Sequence, residues 1–501
     1  MKKIQFRFII FLILMIFIPT RAFASNDLSS KKLLEREPID VVIKYIDLTD
    51  PNLKREGIPQ IKKDEDNDEL KYAVRSVLKN LPWVRKIHIV MPNEKVRYFK
   101  DANLISDKIS YIKDKDVLGY DSASSVTFEF NFWKLKNLGV TENFIYMNDD
   151  CFIGKKMKKS DFFYVDNNKK VVPYVMYSKG VGKNQYNKIS KLYSELKKQV
   201  VGRGPHTGDG FQYQRFSSLM FLYKILGKDI FAPSENADYY PHNALGENLS
   251  DLKELYDVVK RNDPDYYYST EAIVRDNRAL QHQTLYSFYA LNKYKRRINK
   301  TNGVYIDLAS AWYGDYNVPM FCINTGGNAN YSKANYALAK IVMNKLFPVP
   351  TPYEIKEVEN GTYYIESSLQ RDRVFDIESA SKNDYANLRL WDKNGTDAQK
   401  FKITYQSDGT YIIIPKCSGK RVDVCGGSSK IGANIQQYKR NGTRAQRWYF
   451  IPAGGGYHYV VSACNNLCAD PQWGCVDIGT NIRCWEANGT GGQKFKLVKT
   501  I

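Results

Sequence analysis

The chain has 501 residues, 43% of them hydrophobic, and a formal net charge of +20 at pH 7. This length allows about two or three domains with cores of their own, and the composition is that of a folded globular protein. The surplus of Lys and Arg indicates either a solvated basic surface or a polyanionic partner, such as a nucleotide sugar, an acidic glycan or an anionic membrane surface. No zinc-knuckle, helix-turn-helix or RNA-binding signature accompanies the charge, so nucleic acid is not a predicted partner.

The N-terminus has the layout of a secretory signal peptide. Basic residues precede an apolar run over residues 8–18, and Ala22-Phe23-Ala24 forms a small-x-small cleavage site. We therefore predict a signal peptide over residues 1–24, followed by a polar linker over residues 25–38. The mature chain would be secreted or, in a eukaryote, would enter the lumen of the secretory pathway. The run is short for a membrane span, and an uncleaved anchor is the alternative.

The cysteines agree with export. Two of them, Cys151 and Cys322, are isolated, and the other six are crowded near the C-terminus: Cys417, Cys425, Cys464, Cys468, Cys475 and Cys484. An even cluster in an exported chain predicts disulfides, although not their connectivity. No pair has the spacing of a zinc site, so zinc is not predicted.

Strands and helices alternate in the predicted elements of the first part of the chain. Residues 39–46 form an apolar, β-forming run, and residues 70–81 carry apolar side chains at helical spacing. A second apolar run covers residues 87–90. A further helical stretch, residues 124–135, then leads to the apolar run 144–147. This order predicts an α/β sheet of nucleotide-binding type.

The last of these strands runs directly into Asn148, Asp149 and Asp150. In open α/β sheets, ligands bind just beyond the carboxyl ends of the strands. Two adjacent carboxylates there favour a divalent cation, Mg²⁺ or Mn²⁺, that bridges to the phosphates of a nucleotide. The alternative is an Asx-rich turn after a strand.

Four sequence blocks, in order over residues 39–354, carry a family resemblance. They comprise residues 39–50; residues 68–76 with 82–87, 124–129 and 144–154; residues 240–242 with 274–275 and 285–289; and residues 321–324 with 347–350. The blocks resemble those of the Stealth family, which includes the lysosomal-enzyme N-acetylglucosamine-1-phosphotransferase and bacterial capsule hexose-phosphate transferases. The resemblance implies a Rossmann-like, GT-A-like transferase domain over residues 39–354.

The resemblance also implies roles for individual residues. The catalytic positions fall on Asp149, Asp150, His242 and Arg275, with Asp149 and Asp150 as metal ligands. Substrate-binding positions fall on Asp47, Lys71, Arg75, Ser125, Glu129, Asn148 and Asn324. Two residues depart from the family pattern, because Lys71 replaces an arginine and Thr325 replaces an aspartate. Without the resemblance, His242 would be interpreted as a surface loop histidine.

The last 150 residues or so contain a threefold repeat. Gln399-Lys400-Phe401, Gln446-Arg447-Trp448 and Gln493-Lys494-Phe495 recur every 47 residues, as do the Asn-Gly-Thr triplets that begin at Asn394, Asn441 and Asn488. Three copies of one short-stranded unit are expected to close around a shared core. The Gln-x-aromatic signature resembles the ricin B-type lectin, an all-β β-trefoil, over residues 355–501.

The lectin resemblance implies a sugar-binding set in each repeat. An aspartate and an asparagine bind sugar hydroxyls, and an aromatic ring packs on the apolar face of the sugar. The positions are Asp376, Trp391 and Asn394; Asp423, Tyr438 and Asn441; and Asp470, Trp485 and Asn488, with Gln436 as a further polar contact. The alternative is that these residues serve only turns and core.

Together these patterns predict an exported enzyme that transfers a sugar 1-phosphate from a nucleotide sugar, such as a UDP-sugar, to a hydroxyl of a glycan or polysaccharide. Two alternatives stay open. One is a metal-dependent glycosyltransferase that makes a plain glycosidic bond. The other is a secreted lectin whose transferase domain is inactive, which the departure at Thr325 permits.

Overall fold

The computed structural model describes residues 28–53, 60–62, 65–94, 96–99, 106–176, 180–200, 208–233, 243–301, 303–324 and 331–500. The predicted signal peptide lies outside these ranges. In the predicted linker, residues 28–36 form helix α1, and Leu34 packs into the core of the following sheet. Among the described helices, none is both long and apolar enough to span a membrane.

Up to residue 350 the chain is mixed α/β, as predicted, but six strands between residues 143 and 182 follow one another without an intervening α-helix. The strands are β1 Asp40–Lys44, β2 Ile87–Met91, β3 Ile109–Lys113, β4 Asn143–Asn148, β5 Cys151–Ile153, β6 Phe163–Val165, β7 Val171–Pro173, β8 Val175–Met176, β9 Val181–Gly182, β10 Ala232–Pro233, β11 Leu245–Asn248, β12 Ile298–Asn299, β13 Gly303–Asp307 and β14 Met320–Asn324. The helices after α1 are α2 Glu69–Asn80, α3 Asp114–Leu118, α4 Ser125–Asn131, α5 Tyr186–Val200, α6 Gly208–Leu226, α7 Leu249–Asn262, α8 Tyr266–Thr270, α9 His282–Lys293 and α10 Lys333–Leu346.

The central sheet has five strands in the order β11-β4-β1-β2-β3. Strand β1 is parallel to both β2 and β4, β2 is parallel to β3, and β11 is antiparallel to β4. The chain therefore builds the sheet outward from β1 to β3 and then returns to place β4 on the other side of β1. Ligands bind beyond the carboxyl ends of the two strands at such a switch point.

Both faces of the sheet are covered, which explains why its strands are continuously apolar. Val41 and Ile43 of β1 pack in one core with the apolar side of α2, whereas Val42 packs in a second core with α9. A smaller sheet has the strand order β13-β14-β5, and its strand β5 follows β4 directly in the chain. It brings the end of β14 close to Asp150, because the Ile323 amide donates a hydrogen bond to the Asp150 carbonyl at 3.2 Å.

The C-terminal region is all-β, as predicted. Its strands are β15 Gly361–Ser367, β16 Arg373–Ile377, β17 Leu388–Asp392, β18 Phe401–Tyr405, β19 Tyr411–Pro415, β20 Arg421–Val424, β21 Ile435–Tyr438, β22 Trp448–Pro452, β23 Tyr457–Ser462, β24 Cys468–Pro471, β25 Ile482–Trp485 and β26 Lys494–Lys499. Every strand pair in this region is antiparallel, and β26 returns to pair with β15.

The three repeated glutamines make the same hydrogen bonds. Gln399, Gln446 and Gln493 are buried, and each accepts a hydrogen bond from the backbone amide five residues earlier, at 2.8, 3.1 and 2.9 Å. Each also donates to the carbonyl seven residues earlier, at 2.8, 2.8 and 2.7 Å. The side-chain amide of each glutamine therefore links an Asn-Gly turn to the trefoil core by hydrogen bonds.

The predicted disulfides are not formed in the structure, because all eight cysteines are free. The register of β24 and β25 gives one reason. Cys468 lies opposite Trp485, and Cys484 lies opposite Ala469. Because side chains alternate between the two faces of a strand pair, Cys468 and Cys484 point to opposite faces, and they accordingly belong to different hydrophobic clusters.

A buried ion pair joins α2 to the segment that leads into the trefoil. Arg75 Nε donates to Glu354 Oε1 and Oε2 at 3.0 and 3.1 Å, and its Nη1 donates to the Phe347 carbonyl at 2.9 Å. The side chains of Arg75 and Glu354 are only 9% and 4% exposed. One turn earlier, Lys71 pairs with Glu357 at 3.1 Å. The trefoil is therefore attached to the same helix that begins near the sheet's switch point.

We expect Glu354→Ala to lower the free energy of unfolding by about 3–5 kcal/mol, because it leaves the Arg75 guanidinium buried without its carboxylate. Urea unfolding of the full chain measures the change. Lys253→Ala is the control, since its pair with Asp257 is exposed and such pairs contribute about 0–1 kcal/mol. A loss below about 1 kcal/mol in Glu354→Ala would contradict the anchoring role.

Candidate functional site

A cavity of about 630 Å³ lies beyond the carboxyl ends of β1 and β4. Its walls come from these strand ends, from the first residues of α2 and α4, from α6, and from residues 275–283. The cavity lies here because β1 and β4 are neighbouring strands at the switch point. The chain builds β2 and β3 on one side of β1 and then returns to place β4 on the other side. Such a switch point leaves an open crevice between the two loops that follow the strands.

One part of the cavity is strongly acidic, with Glu69, Asp149, Asp150 and Asp66 among its lining residues. Asp150 is buried, and the side-chain amide of Asn324 donates a hydrogen bond to its Oδ2. Removal from water, together with the charges of Asp149, Asp150 and Asp66, raises the pKa of Glu69 well above its usual range. The carboxylates therefore repel one another, and protonation of Glu69 is one way to relieve that repulsion.

The donor atoms in this part of the cavity fit the predicted Mg²⁺ or Mn²⁺, which prefer oxygen ligands. Asp149 and Asp150 would hold the ion. Within the described ranges, no three His, Cys, Asp or Glu side chains are placed to enclose an ion by themselves. A cation that takes one or two protein carboxylates and completes its shell with phosphate oxygens and water suits such an open arrangement.

Arg275 brings positive charge to the same cavity. Its side chain is exposed at the cavity surface. Crowding by the surrounding protein lowers the pKa of Arg275, and the Glu129 carboxylate counteracts this effect. Because a guanidinium keeps its charge at any physiological pH, Arg275 can bind a phosphate or a developing negative charge there.

A buried polar chain lies behind the cavity. Glu129 accepts a hydrogen bond from the Tyr146 hydroxyl at 2.9 Å, and that hydroxyl is 2.7 Å from Asn148 Oδ1. On the inner side, His282 Nδ1 is 3.8 Å from Glu129 and 3.9 Å from Glu247. Burial lowers the pKa of His282 to about 3 and raises the pKa of Glu247 well above its usual range. His282 is therefore uncharged at neutral pH, and burial disfavours the ionised form of Glu247.

The structure brings seven of the predicted residues to the cavity: Ser125, Glu129, Asn148, Asp149, Asp150, Arg275 and Asn324. Asp47 is not among the lining residues. Its Oδ1 accepts hydrogen bonds from the Thr49 amide at 3.0 Å and the Thr49 hydroxyl at 2.6 Å, so it closes the turn after β1. His242 and Thr325 lie outside the described residues.

The structure does not bring Lys71 and Arg75 to the cavity. Both lie on the side of α2 that faces the trefoil, where they pair with Glu357 and Glu354. The stacking of basic residues along α2 was visible in the sequence. The residues that contact this side of the helix come from a segment almost 280 residues later in the chain, and their position depends on tertiary packing.

Several cavity residues were not predicted from the sequence. Glu69 follows directly after Asp68 in the second block, and its position at the start of α2 was the available signal. Phe211 and Gln214 of α6, and Gln283 of α9, also line the cavity. No local pattern marks these three, because their helices reach the cavity only through tertiary packing.

The predicted sugar-binding aspartates of the trefoil occupy equivalent buried positions. Each lies across a strand pair from a polar residue, in the pairs Asp376 with Arg389, Asp423 with Gln436, and Asp470 with Arg483. The aromatic residues Trp391, Tyr438 and Trp485 are half-buried nearby. The exposed asparagines Asn394, Asn441 and Asn488 each accept a hydrogen bond from the threonine amide two residues later, at 3.0 Å in all three repeats. These asparagines therefore serve the turns.

The second repeat has the most suitable arrangement for a neutral sugar. Gln436 donates weakly to Asp423 Oδ1 at 3.4 Å, and the buried Asp423 Oδ2 has no hydrogen bond. Tyr438 packs against the exposed Tyr385, with ring centroids 5.0 Å apart. A carboxylate with spare acceptor capacity beside an aromatic wall can bind the hydroxyls and the apolar face of one sugar.

Comparison with known proteins supports both resemblances. Residues 63–171 match Stealth protein CR2, conserved region 2. Residues 351–438 and 428–485 match a family described as Ricin-type beta-trefoil lectin domain-like. Both matches confirm, for the residues they cover, the families predicted from the sequence.

Individual proteins match shorter segments. The chain is 34% identical over 150 residues to a capsular polysaccharide phosphotransferase of Actinobacillus suis, covering 26% of this chain and 40% of that protein. It is 32% identical over 111 residues to N-acetylglucosamine-1-phosphotransferase subunits alpha/beta of Homo sapiens, covering 21% of this chain and 8% of that protein. The chain thus spans less than half the length of these relatives. A designed 3-fold symmetric protein, ThreeFoil, is 28% identical, with a TM-score of 0.28, over 28% of this chain and 100% of its own.

Divalent cations should stabilise the full chain through the acidic part of the cavity. We expect Mg²⁺ or Mn²⁺ at about 100 times its dissociation constant to add about 2.7 kcal/mol to the free energy of unfolding, measured as a rise in melting temperature. In Asp149→Asn the rise should disappear, while the melting temperature without cation increases because repulsion on Glu69 falls. Asp257→Asn, an exposed position on α7, is the control. A rise of equal size in Asp149→Asn would exclude this site.

The raised pKa of Glu247 predicts a pH-dependent effect of Glu247→Gln. From pH 4.5, the usual Glu pKa, up to the folded-state pKa, the unfolded chain loses this proton and the folded chain keeps it. Wild-type stability therefore falls as pH rises, by about 1.4 kcal/mol per pH unit for this group. The variant lacks this loss, so its advantage in urea unfolding should grow above pH 4.5.

The control for that measurement is Glu195→Gln, because Glu195 is exposed on α5. Its stability should follow wild type at every pH. An advantage of Glu247→Gln that does not grow with pH would mean that Glu247 is ionised and paired with a protonated His282.

Proposed function

We propose that the chain is a phosphotransferase that moves a sugar 1-phosphate from a nucleotide sugar to a hydroxyl of a glycan, with the trefoil binding carbohydrate. The observation that carries the proposal is the cavity at the sheet's switch point, where Asp149, Asp150 and Arg275 meet. The residues that match Stealth conserved region 2 include both aspartates. The matched relatives are named as phosphotransferases of capsular polysaccharide and of N-acetylglucosamine 1-phosphate.

In the proposed reaction, the acceptor hydroxyl attacks the phosphorus that carries the sugar. The bond from this phosphorus to the bridging oxygen breaks, and a nucleoside monophosphate leaves with that oxygen. The hydroxyl proton passes to a base, the role proposed for His242. Transfer of this kind depends on positioning and charge stabilisation more than on covalent help from the protein.

The cavity residues divide this work by their chemistry. A divalent cation bound by Asp149 and Asp150 would neutralise negative charge on the phosphates. Arg275 would bind the oxygens of the transferred phosphoryl group. Asn324 positions Asp150 by donating a hydrogen bond to its Oδ2, and Tyr146 positions Glu129 in the same way.

The trefoil would supply the acceptor. Its buried ion pair with α2 fixes it to the helix whose first residue, Glu69, lines the cavity. A glycan held by the trefoil would therefore remain near the cavity, which raises the local concentration of its hydroxyls. Export by the predicted signal peptide, and a membrane surface as a further partner of the basic chain, belong to the same proposal.

The nucleotide product tests this function. We expect the full chain, incubated with UDP-N-acetylglucosamine, Mg²⁺ or Mn²⁺ and a panel of mannosides, to release UMP, separated from UDP by chromatography. Asp150→Asn should lower the rate of release by about 100-fold or more, because a principal electrostatic contact is lost. His242→Ala should lower it by a similar factor, since the proton acceptor is removed.

The matched control is Asp257→Asn, which makes the same change on α7, where the Asp257 side chain is 45% exposed and does not line the cavity. This variant should keep the wild-type rate. Release of UDP instead of UMP would identify a glycosyltransferase that makes a plain glycosidic bond. Release of neither nucleotide from several donors would leave a carbohydrate-binding protein with an inactive transferase domain.

A further inference from the structure

The threefold repeat provides an internal comparison of its three predicted sugar sites. At the position across the strand from the conserved aspartate, the first and third repeats carry arginine and the second carries glutamine: Arg389, Gln436 and Arg483. A glutamine can donate and accept hydrogen bonds, whereas an arginine only donates and is always charged. The three sites therefore cannot prefer the same ligand.

In the first repeat the arginine is fully engaged by the protein. Arg389 Nε is 3.0 Å from Asp376 Oδ1, and its Nη1 is 3.3 Å from Glu378. The guanidinium also lies 3.9 Å from the centroid of the Trp391 ring. Two carboxylates thus neutralise Arg389, and its own guanidinium covers the aromatic face on which a sugar would pack.

In the third repeat the arginine is less satisfied. Gln472 replaces Glu378 at the equivalent position, so the second carboxylate is absent. Asp470 Oδ1 is 3.8 Å from Arg483 Nε, too far for a hydrogen bond, and the buried Nε has no hydrogen-bond partner among the residues that the structure describes. The other oxygen of Asp470 accepts a hydrogen bond from Gln493 at 3.1 Å. The side chain of Arg483 is 90% buried, with 10% exposed.

Trp473 is the second unusual feature of this repeat. Its ring is 79% exposed, and its φ is +62°, in the left-handed region. The equivalent residues in the other repeats are Ser379 and Gly426. Both equivalent residues also have a positive φ, +55° at Ser379 and +61° at Gly426, so the turn is common to the three repeats and only the exposed Trp473 side chain is particular to the third.

The two features are in contact. The Arg483 guanidinium lies between two aromatic rings, 4.8 Å from the Trp473 centroid and 3.8 Å from the Trp485 centroid. Because the rings lie over the guanidinium, its N–H groups at the edge are the ones that can reach an acceptor. The outer face of Trp473 remains open to solvent.

We propose that the third repeat binds the acidic group of a glycan, with Arg483 as the anion ligand and Trp473 packing against the attached sugar. The proposal rests on carbohydrate binding by the trefoil, and it names the ligand class of one repeat. An arginine fork pairs with both oxygens of a carboxylate or a phosphate. The acidic group is therefore a sugar carboxylate or a sugar phosphate, and a glycan built from sugar phosphates would carry the second.

A matched series of sugars tests the proposal on the full chain. Glucose, glucuronate, glucose 6-phosphate and inorganic phosphate are titrated separately, and binding is followed by isothermal titration calorimetry and by Trp fluorescence. We expect glucuronate or glucose 6-phosphate to bind at least about tenfold more tightly than glucose, because a charge-assisted bond contributes more than a neutral one. The better of the two identifies the source of the acidic group.

Two substitutions copy the second repeat and so should fold. Arg483→Gln introduces the residue found at Gln436, and Trp473→Gly introduces the residue found at Gly426. We expect either one to remove the preference for the acidic sugar. Trp473→Gly should also raise the melting temperature, because glycine adopts a positive φ without the steric cost that a larger residue has there. Arg389→Gln is the matched control and should keep the preference, since its arginine is already neutralised.

Three results would overturn the proposal: equal affinity for glucose and both acidic sugars, an unchanged preference in Arg483→Gln, or the same loss in Arg389→Gln as in Arg483→Gln. If inorganic phosphate binds as tightly as glucose 6-phosphate, the sugar adds no affinity, and this result would exclude the proposed packing of Trp473 against it. Neutral sugars, titrated against Gln436→Ala, report on the second repeat. Neutral binding that is lost in Gln436→Ala would support the lectin function of the second repeat. No neutral binding by the wild-type chain would count against that function, and the third repeat would then be decided by the acidic series alone.

Discussion

Concentration of negative charge at one edge of a parallel sheet is the constraint on which the site depends. Asp149 and Asp150 follow β4 directly, and α2 brings Glu69 close enough for their charges to raise its pKa. Such repulsion opposes folding unless a proton, a cation or a cationic side chain offsets it. The cavity meets this requirement with Arg275 and with oxygen donors suited to a divalent cation, and the same features suit a diphosphate.

The interior behind the cavity is organised by the same requirement. His282 and Glu247 are buried side by side, and burial disfavours the charged form of each. Tyr146 connects Glu129 to Asn148 by short hydrogen bonds. Behind the acidic edge therefore lies a buried polar layer in which Glu129 accepts a hydrogen bond from Tyr146.

Helix α2 links the cavity to the trefoil. Its first residue lines the cavity, its apolar side covers the sheet, and Lys71 and Arg75 hold the segment before the trefoil. In the trefoil, the glutamines keep strict threefold symmetry because they build the core, whereas the residues around each aspartate differ. Arg389, Gln436 and Arg483 give three equivalent positions three different environments, so the repeats share a fold but not the chemistry of this position.

Much of the fold could be predicted from the sequence, because apolar periodicity and exact repeats are local. The strand that ends in Asp149 and Asp150, the helix over residues 70–81, the α/β order and the trefoil period all follow from nearest neighbours along the chain. Asn148, Asp149 and Asp150 reach the cavity for the same reason, since they lie at the carboxyl end of β4.

Contacts between distant segments were decided only by the tertiary structure. Arg75 meets Glu354 instead of a nucleotide, Phe211 and Gln214 reach the cavity from a remote helix, and Cys468 and Cys484 lie on opposite faces of one strand pair. Neither spacing nor composition encodes which side of α2 meets the trefoil, because that choice depends on packing over hundreds of residues. The sequence by itself determined the elements, the repeats and the acidic strand end, and the tertiary structure decided which charges meet.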